Sequence, residues 1–157
     1  MKEEAKPPEG YVPLPRTGGF TELIGPLFSR EEGENFSYAF ETTQKLQSRS
    51  GNVHGGFMMM AADHIISLDI LRRKDRPYHI ATVQLDSHFI DRAPMGIHLI
   101  ARPRILRRTR HLIFTDIQIY GNDRLLFQAS GIWKIVDPNS RVARKVGDVI
   151  LPELEEE

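Results

Sequence analysis

The chain has 157 residues, 40% of them apolar and 27% charged, the size and composition of one globular domain. Its 21 Lys and Arg balance 21 Asp and Glu, which argues against a domain whose main business is sheathing nucleic acid. The absence of cysteine excludes disulfide scaffolds, thiolate metal sites and cysteine nucleophiles. The start, MKEEAKPPEG, is charged and proline-rich, and no apolar run reaches the ~20 residues of a membrane span, so a cytoplasmic α+β protein without a membrane partner is expected.

In chain order, residues 1–34 hold Pro7, Pro8, Pro13, Pro15, Gly10, Gly18 and Gly19 and predict an extended arm ordered by docking. A short helix within 20–28 is cut off by Gly25-Pro26. The folded domain is expected over 35–137. It opens with a strand in 35–47, where Phe36, Tyr38 and Phe40 alternate, followed by the turn-rich SRSGN. Residues 55–73, GGFMMMAADHIISLDILRR, contain no proline and run into Arg72, Arg73 and Lys74, cations that suit a helix C-terminus. After Asp75-Arg76-Pro77 the pattern predicts strands at about 78–91, 97–107, 111–121 and 124–137, with turns at Asp91–Gly96 and Gly121-Asn122-Asp123. Residues 138–157 form an extension ending in the acidic PELEEE. The sum is one long helix wrapped by a curved antiparallel sheet of five to six strands.

The helix is apolar around most of its circumference, with apolar residues at 57–62, 65, 66, 68, 70 and 71. Such a helix is buried on all sides, and with only one of them in the chain a second subunit is the expected cover. Asp63 sits in this apolar surface. It either hydrogen-bonds structurally, faces solvent through a gap, or is a functional carboxylate at an apolar cleft. Asp69, about 120° round the helix, reads as solvated or paired. His54-Gly55-Gly56 opens the helix, where unpaired N–H groups carry positive potential and glycines allow close approach, the requirements of an oxyanion hole. Gly55 and Asp63 are roughly 12 Å apart along the helix, too far to act on one carbonyl. Two antiparallel copies would bring Asp63 of one near Gly55 of the other, which predicts a two-fold homodimer with two interfacial sites.

The segment GNVHGGFMMMAAD (51–63), followed by ATVQLDSHFIDRAPMG and the strands through 137, resembles the PaaI-type hot-dog-fold acyl-CoA thioesterases. That resemblance implies a hot-dog fold and hydrolysis of an acyl-CoA thioester to free acid and CoA. It implies that Asp63 is the nucleophile or general base, that Gly55, with Gly56 beside it, polarises the carbonyl, and that Thr82 holds water. Ser48 stands where the family typically has Asn. Substrate contacts are expected from His54, Met59, Met60 and Phe89, with Arg107, Arg108 and Arg110, part of a basic run with Arg102 and Arg104, meeting the CoA phosphates. The family also pairs dimers into tetramers. His64, His79, His88, His98 and His111 match no metal-ligand spacing, so no metal is expected, and no cofactor beyond the CoA of the substrate. Ser48 and Met58–Met60 motivate the competing reading, a non-catalytic acyl-CoA- or lipid-binding domain.

Overall fold

The computed structural model describes residues 6–15, 19–73 and 79–136. Its elements are β1 (Val12–Pro13), α1 (Gly19–Ile24), β2 (Leu27–Glu32), β3 (Asn35–Glu41), α2 (Gly55–Arg72), β4 (His79–Phe89), β5 (His98–Arg108), β6 (Leu112–Gly121) and β7 (Arg124–Val136). The strands form one open sheet in the order β1-β2-β3-β5-β6-β7-β4, antiparallel at every pairing. The strand count is therefore seven rather than five to six. The additional strands lie in the segment assigned to the arm, where the charged Arg30-Glu31-Glu32 conceals the alternation of β2. Residues 44–46 form a turn of 3-10 helix instead of extending β3. The expected C-terminal extension, 138–157, lies outside the described residues.

One stripe of α2 faces the sheet: Met58, Ala61, Ala62, Ile65, Ile66, Asp69 and Ile70 are buried, at the three- and four-residue spacing of a helix face. They pack on Tyr38, Phe40, Leu99, Ala101, Ile113, Ile117, Ile119, Phe127, Ala129 and Trp133, the inward row of each strand. Phe57, Met60, Leu68 and Leu71 are half-buried and pack at the margin of the same core, whereas Met59 is exposed. In the single chain the helix is therefore not buried on all sides, and its exposed apolar residue, Met59, lies one turn before Asp63.

The two sheet edges differ. At one, the two-residue β1 pairs only with β2. Tyr11 lies on the outer sheet face with Phe28, Ala39 and Ile100, its hydroxyl 2.9 Å from Ser37 Oγ and the Arg30 guanidinium 4.8 Å above its ring. At the other, β4 pairs only with β7 and presents eleven residues of unpaired edge among the described residues. Long open edges are association sites unless protected. The β6–β7 turn carries Asn122 and Asp123 at φ 50° and 60°, the twist that a two-residue hairpin requires.

Trp133 is fully buried at the centre of β7, and its Nε1–H donates to Thr115 Oγ1 (2.9 Å), which donates to the Gly131 carbonyl (3.3 Å). Thr115→Val keeps the side-chain shape but strands the indole N–H. The expected loss is ~1–3 kcal/mol, seen as a lower urea midpoint at unchanged m-value, with Thr115→Ser recovering most of it.

Candidate active site

The N-terminus of α2 is fixed by the loops on either side. His54 N–H donates to the Leu46 carbonyl (2.8 Å) and Val53 N–H to the Ala93 carbonyl (2.9 Å). Thr42 Oγ1 donates within reach of the Pro94 and Ile97 carbonyls and accepts from Ile97 N–H (3.0 Å), tying the β4–β5 connection to the end of β3. His54 is the N-cap, with φ −66° and ψ 130°. Its Nδ1 accepts from Gly56 N–H (3.0 Å), and its carbonyl accepts from Phe57 N–H (3.0 Å) and Met58 N–H (3.3 Å). Of the four amides that a helix start leaves without a helical acceptor, Gly55 N–H alone has no acceptor among the described residues.

The two glycines have different neighbours. A Cβ at Gly55 would lie 3.0 Å from Cε1 of Phe89, and one at Gly56 would lie 3.1 Å from His54 Nδ1. Phe89, 58% exposed at the end of β4, thus lies against the Cα side of Gly55, and its ring stands edge-on to Phe127 (5.2 Å).

Asp63 lies two turns along α2 and is half-buried. Its Oδ1 accepts from Thr82 Oγ1 at 2.9 Å, so the two residues that the resemblance singles out, 19 positions apart, are brought together. A register shift in β4 between Thr82 and Gln84 accompanies this placement; bulges of this kind re-aim side chains. Ser67 Oγ donates to the Asp63 carbonyl (2.9 Å) and leaves the carboxylate to Thr82. Gly55, Met59 and Asp63 share one helix stripe at four-residue spacing. Met60 packs instead against the core.

Beside Gly55 opens a cleft of about 630 Å³ whose wall includes Met58, Phe89, Leu126 and Phe127, with Ser48, Ser50, Asn52, Asp91 and Arg92 at its polar side. Met58, Leu126, Phe127 and Arg92 were not among the residues expected here. Nothing in the local sequence links β7 to the helix start; the link comes from the Phe89–Phe127 pairing across β4 and β7. Ser48 lines the cleft, but its hydroxyl is engaged in its own loop, donating to the Asn52 carbonyl (2.9 Å) and paired with Ser50 Oγ (2.9 Å). Arg107 and Arg108 end β5, and Arg110 is in the following turn, all exposed. Arg108 shares a cross-sheet row with Ile113, Trp133 and Thr82, three strand spacings or ~14 Å from Thr82. The arginines therefore lie at the Asp63 end of the sheet, away from Gly55 of the same chain. Arg104 is paired with Asp116, and Arg102 lies 5.5 Å over the Tyr120 ring. Among the described residues no group of three or more His, Asp or Glu could hold a metal ion, and no helix is long and apolar enough to cross a membrane.

A family model for the thioesterase superfamily matches residues 50–127, the stretch from the loop before His54 to Phe127. The chain belongs to the thioesterase superfamily. It is 26% identical over 129 residues to a Pseudomonas aeruginosa protein named "putative esterase", covering 82% of this chain and 96% of that one. The superfamily fold is also seen in solved structures. The phenylacetic acid degradation protein PaaI of Thermus thermophilus, in a mutant form, superposes with a TM-score of 0.65 at 18% identity, over 74% of this chain and 98% of that one. A hypothetical thioesterase of Streptococcus pneumoniae, solved with coenzyme A, gives a TM-score of 0.64 at 15% identity, over 73% and 91% of the two chains. The hot-dog architecture of these proteins, a long helix against an antiparallel sheet, is the one described above.

Two titratable groups on this thioesterase-superfamily helix are displaced from their ordinary ranges. Asp69 is 1% exposed; burial raises its pKa, while an ion pair with Arg73 (2.9 Å) and a hydrogen bond from Tyr38 Oη (3.4 Å) pull the other way. It is paired, not solvated. Burial also raises the Tyr38 hydroxyl. His64, next to Asp63 in sequence, has its pKa lowered by burial against the opposing pull of the Asp63 charge. Below the ordinary imidazole pKa of about 6.5 the unfolded chain then binds a proton that the native chain refuses, so stability falls as pH drops from there through the lower native value. Urea midpoints between about pH 7 and 5 should therefore fall more steeply for wild type than for His64→Gln; parallel slopes would show that His64 is not the group responsible.

Proposed function

We propose that this protein hydrolyses acyl-CoA thioesters to free acid and CoA in a homodimer, each site combining Asp63 and Thr82 of one subunit with Gly55 of the other. The observation that carries the reading is the separation of two complementary half-sites on one rigid helix. A lone amide donor stands at the N-terminus, and a carboxylate with its hydroxyl partner stands roughly 12 Å away on the same stripe. Two-fold pairing of the open β4 edges would set the helices antiparallel and join each donor to the other chain's carboxylate. The exposed Met59 of α2 and the exposed Val83, Phe89 and Ile90 supply the apolar surface for that contact.

In this site the thioester oxygen accepts from Gly55 N–H. The Thr82 hydroxyl donates a hydrogen bond to Asp63 Oδ1 and keeps lone pairs to accept from a water, whose second hydrogen is directed to the free oxygen of the Asp63 carboxylate. The water oxygen bonds to the carbonyl carbon as Asp63 takes the proton. The tetrahedral intermediate, its oxyanion held by the amide, collapses with cleavage of the C–S bond, and Asp63 returns the proton to the CoA sulfur. Direct attack by Asp63, followed by hydrolysis of the mixed anhydride, uses the same residues. The exposed Arg107 and Arg110 lie at the Asp63 end, where the phosphates of CoA would be met, and the likeness to a thioesterase solved with coenzyme A supports that ligand class.

Assayed against a panel of acyl-CoAs, Asp63→Asn is expected to lower kcat by at least about a hundredfold; equal turnover by wild type and variant would remove Asp63 from the chemistry. The engaged hydroxyl of Ser48 favours one alternative, an acyl-CoA-binding protein without turnover. Saturable binding with no hydrolysis by the wild type would establish it. Sedimentation at micromolar concentration is expected to give a dimer, and an active monomer would overturn the shared site.

A further inference from the structure

We propose that His54 is a positioning residue. Its imidazole Nδ1 holds the Gly56 amide in the helix cap, and this leaves the Gly55 amide fixed as the single donor for the reacting carbonyl. The inference rests on the hydrolase reading above and replaces the direct substrate contact expected of His54 from the sequence. Three observations carry it. The Gly56 N–H···Nδ1 hydrogen bond is 3.0 Å. The Phe57 amide is satisfied by the His54 carbonyl and the His54 amide by the Leu46 carbonyl, so with the ring on Gly56 every helix-start amide except that of Gly55 has an acceptor. A side chain at Gly56 would press on the ring, because a Cβ there would stand 3.1 Å from Nδ1 and 3.2 Å from Cε1 and the imidazole would have to shift by a few tenths of an ångström.

The two glycines therefore have separate tasks. Gly56 admits the imidazole, and Gly55 admits Phe89 and the substrate carbonyl. An acceptor Nδ1 places the proton of the neutral ring on Nε2. Without the ring, Gly56 N–H would also point outward unsatisfied. The first turn would then present two competing donors on a backbone free to fray, and a donor that must lie within about 3 Å of a developing oxyanion loses its alignment.

The test combines kinetics with amide exchange. His54→Ala and Gly56→Ala are each expected to lower kcat about five- to thirtyfold, the scale of one lost cap, with KM changed less than about twofold. The double variant should be no slower than the slower single one, because both remove the same contact. His54→Asn, whose amide oxygen is an effective N-cap acceptor, should recover kcat to within about threefold. In wild-type protein the Gly56 amide should exchange more slowly than that of Gly55, and His54→Ala should abolish the difference. A raised KM that Asn does not repair would make His54 a substrate contact and overturn the proposal. So would a lowered Tm with kcat intact, or equal exchange of the two amides in wild type. The exchange experiment needs no turnover, so a wild type that hydrolyses nothing would remove the hydrolase reading while leaving the cap to stand or fall on its own.

Discussion

A helix is a rigid spacer, and here it keeps apart the two groups that the proposed chemistry requires together. Gly55 and Asp63 lie on one stripe of α2, two turns from each other, and no side-chain rotation closes ~12 Å. The amide at the first position is held free by the way the cap is filled, and the carboxylate is held ready by Thr82 from β4. Each is incomplete without the other. The proposed dimer would meet this constraint by bringing a second copy of the spacer into antiparallel register.

The sheet makes that arrangement compatible with a stable chain. Its inward rows cover one face of α2 with aliphatic and aromatic side chains and a hydrogen-bonded indole, while Tyr11 packs on the outer face of the sheet beside β1. The β4 edge and the adjoining helix surface carry Thr82, Phe89 and the stripe of Gly55, Met59 and Asp63. Exposed Met59, Val83, Phe89 and Ile90 thus share this region with the proposed chemical groups, while Val12, Phe20 and Leu106 are exposed outside it. The buried Asp69, tied to Arg73 and Tyr38, anchors the far end of the helix to β3 and takes no part in that region.

Much of this was legible in the sequence because it is local. Helical spacing and the absence of proline marked α2, alternation marked β5 to β7, and the Asn122–Asp123 turn was visible from its residue types. The link of Asp63 to Thr82 came from the family resemblance, since no periodicity relates residues across the segment between α2 and β4. The strand β2 was hidden because Gly25-Pro26 and the run Arg30-Glu31-Glu32 obscure its alternation, and only its pairing with β3 declares it. The cleft wall from Leu126 and Phe127 was invisible for a similar reason, since it exists through sheet register. For Ser48 the sequence flagged the departure, but only the loop geometry shows its hydroxyl bonded to Asn52 and Ser50. Asp69 was half readable: Arg73 is its i+4 neighbour, whereas Tyr38 reaches it from a strand 31 positions earlier.

Subunit complementation tests the shared site most directly. Gly55→Pro removes the free amide at the first helical position, where proline is favoured, after a His54 backbone already in the extended conformation that proline prefers in its predecessor. Asp63→Asn removes the carboxylate and keeps a carbonyl for the Thr82 hydroxyl. Each homodimer should be nearly inactive. When the two variants are unfolded together and refolded in equal amounts, half of the dimers are mixed. One site of each mixed dimer carries both lesions and the other carries neither, so activity should return to about a quarter of wild type. Mixtures that stay as inactive as their parents, although mixed dimers are shown to form, would contradict the account and place the whole site within one chain.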